Sequence, residues 1–120
     1  MVIATGERWH PLIAAEAARS GKHMYCEKPL GLSVAACKAV REAVNAHGVQ
    51  FQFGTQQRSS FMYRHAVELV RNGRIGEVKT IMVGSVRGPA DTIYGKPKEP
   101  PPGFDYDMWL GPAPWAPYSD

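Results

Sequence analysis

The sequence is short of the features that mark disulfide-stapled, metal-held, membrane-spanning or nucleic-acid-gripping chains. It has 2 cysteines in 120 residues, Cys26 and Cys37, and their spacing is not CxxC. That argues against a disulfide scaffold and against a structural zinc site. No apolar run approaches the roughly 20 residues that span a bilayer, so no transmembrane helix is expected. His23, His47 and His65 are scattered without the i, i+4 spacing of a helical metal site and read as structural or surface groups, so no metal is expected. Runs of Lys and Arg interleaved with aromatic residues are missing too, and no nucleic-acid groove is expected. Ahead of Val2 there is no charged segment, apolar segment or cleavage site of an export signal. Cytoplasmic residence is the default expectation, with the periplasm as the alternative if the natural amino end lies elsewhere.

What is present is ordinary for a globular protein of one domain: 44% hydrophobic, 10% aromatic and 21% charged residues. The net charge of +3 hides an asymmetry, with 12 basic and 6 acidic groups in residues 1–87 against 2 and 5 in residues 88–120. The first 55 residues alternate between short β-rich runs and helical stretches. Val2 to Thr5 reads as a strand. Pro11 suits the first turn of a helix that continues from Leu12 to Arg19, with Gly21 as its stop. Lys22 to Cys26 reads as a second strand, halted by Glu27-Lys28-Pro29. Ser33 caps a helix in which Val34, Cys37, Val40 and Val44 share a face and His47-Gly48 closes the end. Val49 to Thr55 is a third strand. Three strands joined by two helical crossovers predict parallel βαβ units.

Beyond residue 58 the pattern shifts. Ser60 to Asn72 reads as a helix with Met62, Ala66, Leu69 and Val70 on one side, and Glu77 to Val86 alternates like the first strand of a second, more extended sheet. Of the 10 prolines, 8 fall in residues 88–120. That stretch is expected to be irregular, a wrapping loop or polyproline segment held by Phe104, Tyr106, Trp109 and Trp115.

Glu27-Lys28-Pro29-Leu30 follows a strand directly and is preceded by Gly21-Lys22-His23. Together with Ala4-Thr5 and His10 after the first strand, Gly54-Thr55-Gln56-Gln57-Arg58 after the third, Asn72-Gly73-Arg74-Ile75-Gly76, and Asp107 to Pro114 near the end, this resembles the signature of the glucose-fructose oxidoreductase, inositol dehydrogenase and rhizopine-catabolism (Gfo/Idh/MocA) family. The resemblance rests on the joint order of these motifs along the chain.

The resemblance implies an α/β chain with a partial Rossmann-like parallel sheet, strands four to six of a nucleotide domain in residues 1–58. The start of a carboxy-terminal α/β domain would follow in residues 59–120. It implies an oxidoreductase moving hydride between NAD or NADP and a sugar, polyol or related carbohydrate, homo-oligomeric at full length. Lys28 would lie beside the nicotinamide and the substrate hydroxyl, where partial desolvation near a cationic ring lowers its proton affinity. Glu27 would tune it, and Pro29 would set the turn, X-Pro being the one peptide bond that takes the cis form at low cost. The implied cofactor contacts are Ala4, Thr5, His10, Glu27, Lys28, Pro29 and Gln57, and the implied substrate contacts are Lys28, Arg58 and Trp109. Alternatives stay open for three of these: His10 with Trp9 as a helix-start staple, Arg58 as a surface group, and Trp109 as a pin for its loop.

Departures from the family pattern matter as well. Relatives read Thr-Pro-Asp or Thr-Pro-Asn where this chain has Thr5-Gly6-Glu7. No GxGxxG turn occurs in the sequence, nor do the ribose-binding acid and the later Asp/His pair. The expectation is therefore a middle third of such an enzyme whose first strand presents an unpaired edge, leaving the isolated chain marginally stable. Two other readings remain: a relative that hydrolyses glycosides through transient oxidation by bound NAD+, and a noncatalytic truncated chain.

Overall fold

The computed structural model describes residues 1–85 and 95–119. In chain order these form β1 (Val2–Ile3), α1 (His10–Arg19), β2 (Met24–Glu27), α2 (Val34–His47), β3 (Phe51–Gly54), a 3-10 turn (Gln56–Ser59), α3 (Phe61–Arg71) and α4 (Tyr106–Leu110). They divide into two compact units, residues 1–55 with 107–115, and residues 56–106 with 116–120.

The first unit is an α/β layer pair. Its sheet has the order β1-β2-β3, all parallel. The core beside it is made of Ile3, Ala14, Ala17, Ala18, Met24, Cys26, Val40 and Val49, ringed by Ile13, Leu30, Ala43, Val44 and Phe51. Helix α1 contributes an i, i+3, i+4 stripe of alanines, and their small side chains let it lie close against α2 and the sheet. Helix α2 starts as its sequence predicts. Ser33 is extended and its hydroxyl accepts a hydrogen bond from the Ala36 amide at 3.2 Å. The helix stops at Gly48, whose φ of 62° only glycine adopts without cost.

The ladders end at different heights. Pairing of β1 with β2 stops at Ile3 opposite Cys26, whereas β2 and β3 stay paired to Glu27 opposite Gly54. The expected strand through Thr5 is therefore shorter, and Ala4 and Thr5 lie beyond its last paired residue. A side chain at Gly54 would stand 3.0 Å from the Cys26 carbonyl, the Glu27 Cα and the Tyr25 hydroxyl. Only glycine fits there without moving backbone.

Two expectations for the second part of the chain are corrected. Residues 77–85 form no strand, and Val86 lies outside the described residues. Alternation marks a pattern fit for a sheet, but a strand exists only through a partner, and the described residues of the second unit supply none. Ile81, Met82 and Val83 are all exposed. The proline-rich tail, expected to be irregular throughout, contains α4. Its five residues lie between Pro102 and Pro112, contain no proline, and place Asp107 in the first turn where the helix dipole favours an acid. Within the second unit the tail is held by Phe104, Tyr106 and Tyr118. Tyr106 and Tyr118 meet edge-on at 5.4 Å, and the Tyr106 hydroxyl donates to the Ala116 carbonyl at 2.8 Å. Trp115, expected to help, is exposed.

Candidate active site at the carboxyl end of the sheet

The carboxyl ends of β1 and β2 carry the residues singled out by the sequence. Ala4 and Thr5 leave β1 exposed, and Gly6 follows with open space around it. Glu27 ends β2, and Lys28 and Pro29 form the turn beyond it, joined by a cis peptide bond.

Glu27 is half-buried and holds two groups. Its Oε1 accepts from the Tyr25 hydroxyl at 3.3 Å and its Oε2 accepts from the Lys28 backbone amide at 3.2 Å. Tyr25 was not among the sequence candidates. The available signal was its i, i+2 relation to Glu27, which puts both side chains on one face of a strand. Desolvation, and then the neighbouring Glu27 carboxylate, raise the Tyr25 hydroxyl above its ordinary 10.0. The same two causes raise the buried Cys26 thiol. Cys26 therefore behaves as a small apolar core residue and not as a nucleophile.

Lys28 itself is exposed, and among the described residues no hydrogen bond or ion pair holds its ammonium.

His10 requires a correction. Expected at the cofactor surface, it is 1% exposed, with Nδ1 2.7 Å from the Pro29 carbonyl and Nε2 3.0 Å from the Thr5 carbonyl. A ring enclosed in this way, with both nitrogens on backbone oxygens, has no edge left for a cofactor. Trp109 also takes the second of its two readings. Its carbonyl accepts from Arg8 Nη1 at 3.0 Å, and the Arg8 guanidinium lies 4.3 Å from the centre of its ring. Trp9 donates from Nε1 to the Met108 carbonyl at 2.9 Å, and a side chain at Gly111 would meet the Trp9 indole at 2.7 Å. Arg8 and Trp9 thus clamp residues 108–111 within the first unit, and Trp109 serves that clamp.

Gln57 and Arg58 belong to the second unit. They line a cavity of about 730 Å³ there, with Tyr63, Arg64, Val67, Glu68 and Arg71. Arg64 pairs with Glu68 at 3.6 Å. Among the described residues no group of three His, Cys, Asp or Glu side chains is arranged to hold a metal ion, and no helix is long and apolar enough to cross a membrane.

Comparisons with known proteins give the chain its relatives. Residues 1–55 match the model of an oxidoreductase family with an NAD-binding Rossmann fold. The chain is 32% identical over 97 residues to the uncharacterized oxidoreductase YrbE of Bacillus subtilis, covering 81% of this chain and 25% of that protein. It is 35% identical over 77 residues to the scyllo-inositol 2-dehydrogenase (NAD(+)) of the same organism, covering 64% of this chain and 22% of that protein. Part of the chain's fold is also found in the crystal structure of scyllo-inositol dehydrogenase from Lactobacillus casei with bound NAD(H) and scyllo-inositol. The TM-score is 0.59 at 32% identity, covering 63% of this chain and 23% of that one. The chain therefore spans about a quarter of the length of these relatives.

Proposed function

We propose, for a chain whose residues 1–55 belong to the Gfo/Idh/MocA oxidoreductase family, that it supplies the nicotinamide-facing part of an NAD(P)-dependent oxidoreductase acting on a carbohydrate. The observation that carries this reading is the convergence of the open Ala4-Thr5-Gly6 turn and the exposed Lys28 at the end of a parallel sheet, which is where such sheets bind ligands.

The residues fit the group. Exposed Ala4 and Thr5, with open space around Gly6, offer a ledge of backbone on which a flat ring can lie. When bound, NAD(P) supplies a hydride acceptor for the carbinol carbon. Lys28 Nζ then binds the reacting hydroxyl, as ammonium donating a hydrogen bond to its oxygen and as free amine taking its proton. Glu27 holds the Lys28 backbone through its amide and so aims the side chain. The glycine-rich turn that grips pyrophosphate in such folds is not among these residues, so the proposed contribution is confined to the nicotinamide end. Arg58 and the arginines around it are the proposed substrate-facing groups of the second unit. A homo-oligomeric full-length protein in the cytoplasm completes the reading.

The test is Lys28→Met in the natural gene product containing these residues. NADH should still bind while hydride transfer from a polyol falls by about 100-fold or more, the range of a lost proton-transfer group. Transfer at the unaltered rate, or no NADH binding by the parent protein, would overturn the reading.

A further inference from the structure

We infer that His10 is a positioning residue that ties the turn after β1 to the Lys28 turn after β2, so that the ledge and the lysine move as one body. The inference rests on the proposed function for what the ledge carries, but the tie itself is a matter of bonds within the chain.

The two turns need such a tie because the sheet no longer joins them. The β1–β2 ladder ends at Ile3 and Cys26, so beyond that level no sheet pairing connects residues 4–6 to residues 28–30. The Lys28–Pro29 turn is also poor in donors: proline has no N–H, and the Lys28 amide is taken by the Glu27 carboxylate at 3.2 Å. His10 stands at the first position of α1, a helix whose alanine stripe is buried, and is itself 1% exposed. From that anchored place its ring reaches the Pro29 carbonyl at 2.7 Å and the Thr5 carbonyl at 3.0 Å. Lys28 is thus flanked by two backbone restraints, Glu27 on its amide and His10 on the carbonyl of the next residue.

The chemistry narrows the residue type. A neutral imidazole has one N–H and donates to one of the two carbonyls; an imidazolium donates to both. An amide side chain offers one nitrogen, at either the Nδ1 or the Nε2 distance from the backbone. Asn therefore imitates the half of the ring that serves Pro29, and Gln the half that serves Thr5.

The experiment is amide hydrogen exchange on the natural gene product without cofactor, comparing His10 with His10→Asn, His10→Gln and His10→Phe. Phe keeps the ring volume and leaves neither carbonyl an N–H from the ring. It should speed exchange in residues 4–9 and in residues 27–32 together, by about tenfold for each lost bond. Asn should speed only the first segment and Gln only the second. If the Phe variant fails to fold, the Asn and Gln pair decides. Even acceleration over the whole chain in both, or exchange unchanged in both, would overturn the tie. Adding NADH separates the two levels: segment-specific rescue with no slowing of either segment by NADH would sink the proposed function and leave the tie standing.

Discussion

Helix α2 in the first unit and helix α3 in the second have much in common. They are 14 and 11 residues long, each follows a serine, and each carries an apolar stripe. Yet α2 buries Val40 to 1% exposure, while no residue of α3 is buried and Phe61 and Met62 are about four-fifths exposed. Ser33 caps α2 through its hydroxyl, and Ser60 makes no such bond to α3. Spacing and a serine are enough to start a helix. Burial depends on a facing element, and α2 has α1 beside it. Local pattern and tertiary stabilisation are separable quantities, and the two units hold them in different proportions.

The largest test of this contrast sets Ile3, 1% exposed, against Ile81, 79% exposed. Ile3→Ala should cost about 3 kcal/mol through lost burial and the cavity left behind. Ile81→Ala should stay within about 0.5 kcal/mol, as substitutions on open surface do. Denaturant titration of both variants checks the pair, and equal losses would erase the distinction between the units.

Next come two glycines. Gly54→Ala forces a methyl to 3.0 Å from two backbone atoms and the Tyr25 hydroxyl, and should cost about 2 kcal/mol. Gly84 has nothing within 4 Å, so Gly84→Ala should be neutral or stabilise by up to about 1 kcal/mol through the unfolded chain. Thermal melts read both.

The caps sharpen the comparison further. Ser33→Ala should cost about 1 kcal/mol, because it deletes a formed capping bond. Ser60→Ala, with no capping bond to lose, should change stability by no more than about 0.3 kcal/mol. Similar losses at both serines would mean that α3 is capped in solution as α2 is.

The smallest effect is expected at high pH and in the first unit alone. Because the folded chain holds the Tyr25 hydroxyl neutral above its ordinary 10.0, its contribution is complete below that value. It is then lost as pH climbs through the raised one, since the unfolded chain ionises first. Tyr25→Phe should flatten the alkaline limb of a stability-against-pH curve and leave the rest parallel. A limb of unchanged slope would remove Tyr25 from the Glu27 cluster.

Much of the first unit was legible from the chain alone. The parallel βαβ rhythm, the Ser33 and Gly48 boundaries of α2 and the place of Lys28 after β2 depend on contacts a few residues apart, where residue type sets the local preference. The misreadings have a common origin. His10 carries a polar ring, which as sequence suggests a surface role, but a carbonyl 19 residues away takes its Nδ1 and closes it in. Trp109, readable as a platform for a ligand or as a pin for its loop, takes the second role only where Arg8, 101 residues distant, meets its carbonyl and ring face. Residues 77–85 alternate as a strand should, and no strand among the described residues of their unit pairs with them.

By itself, then, the order of residues decided where helices start and stop, which strand faces are apolar, and that a lysine leaves the second strand at a proline turn. These follow from backbone preferences and side-chain periodicity, which act over a few bonds. Only the assembled chain decided that the β1–β2 ladder ends at Ile3, that Glu27 serves Tyr25 as well as the Lys28 amide, and that a buried imidazole bridges the two turns. Each of these is a meeting of groups distant in sequence, and its free energy comes from desolvation and hydrogen bonds that exist only once the partners have been brought together.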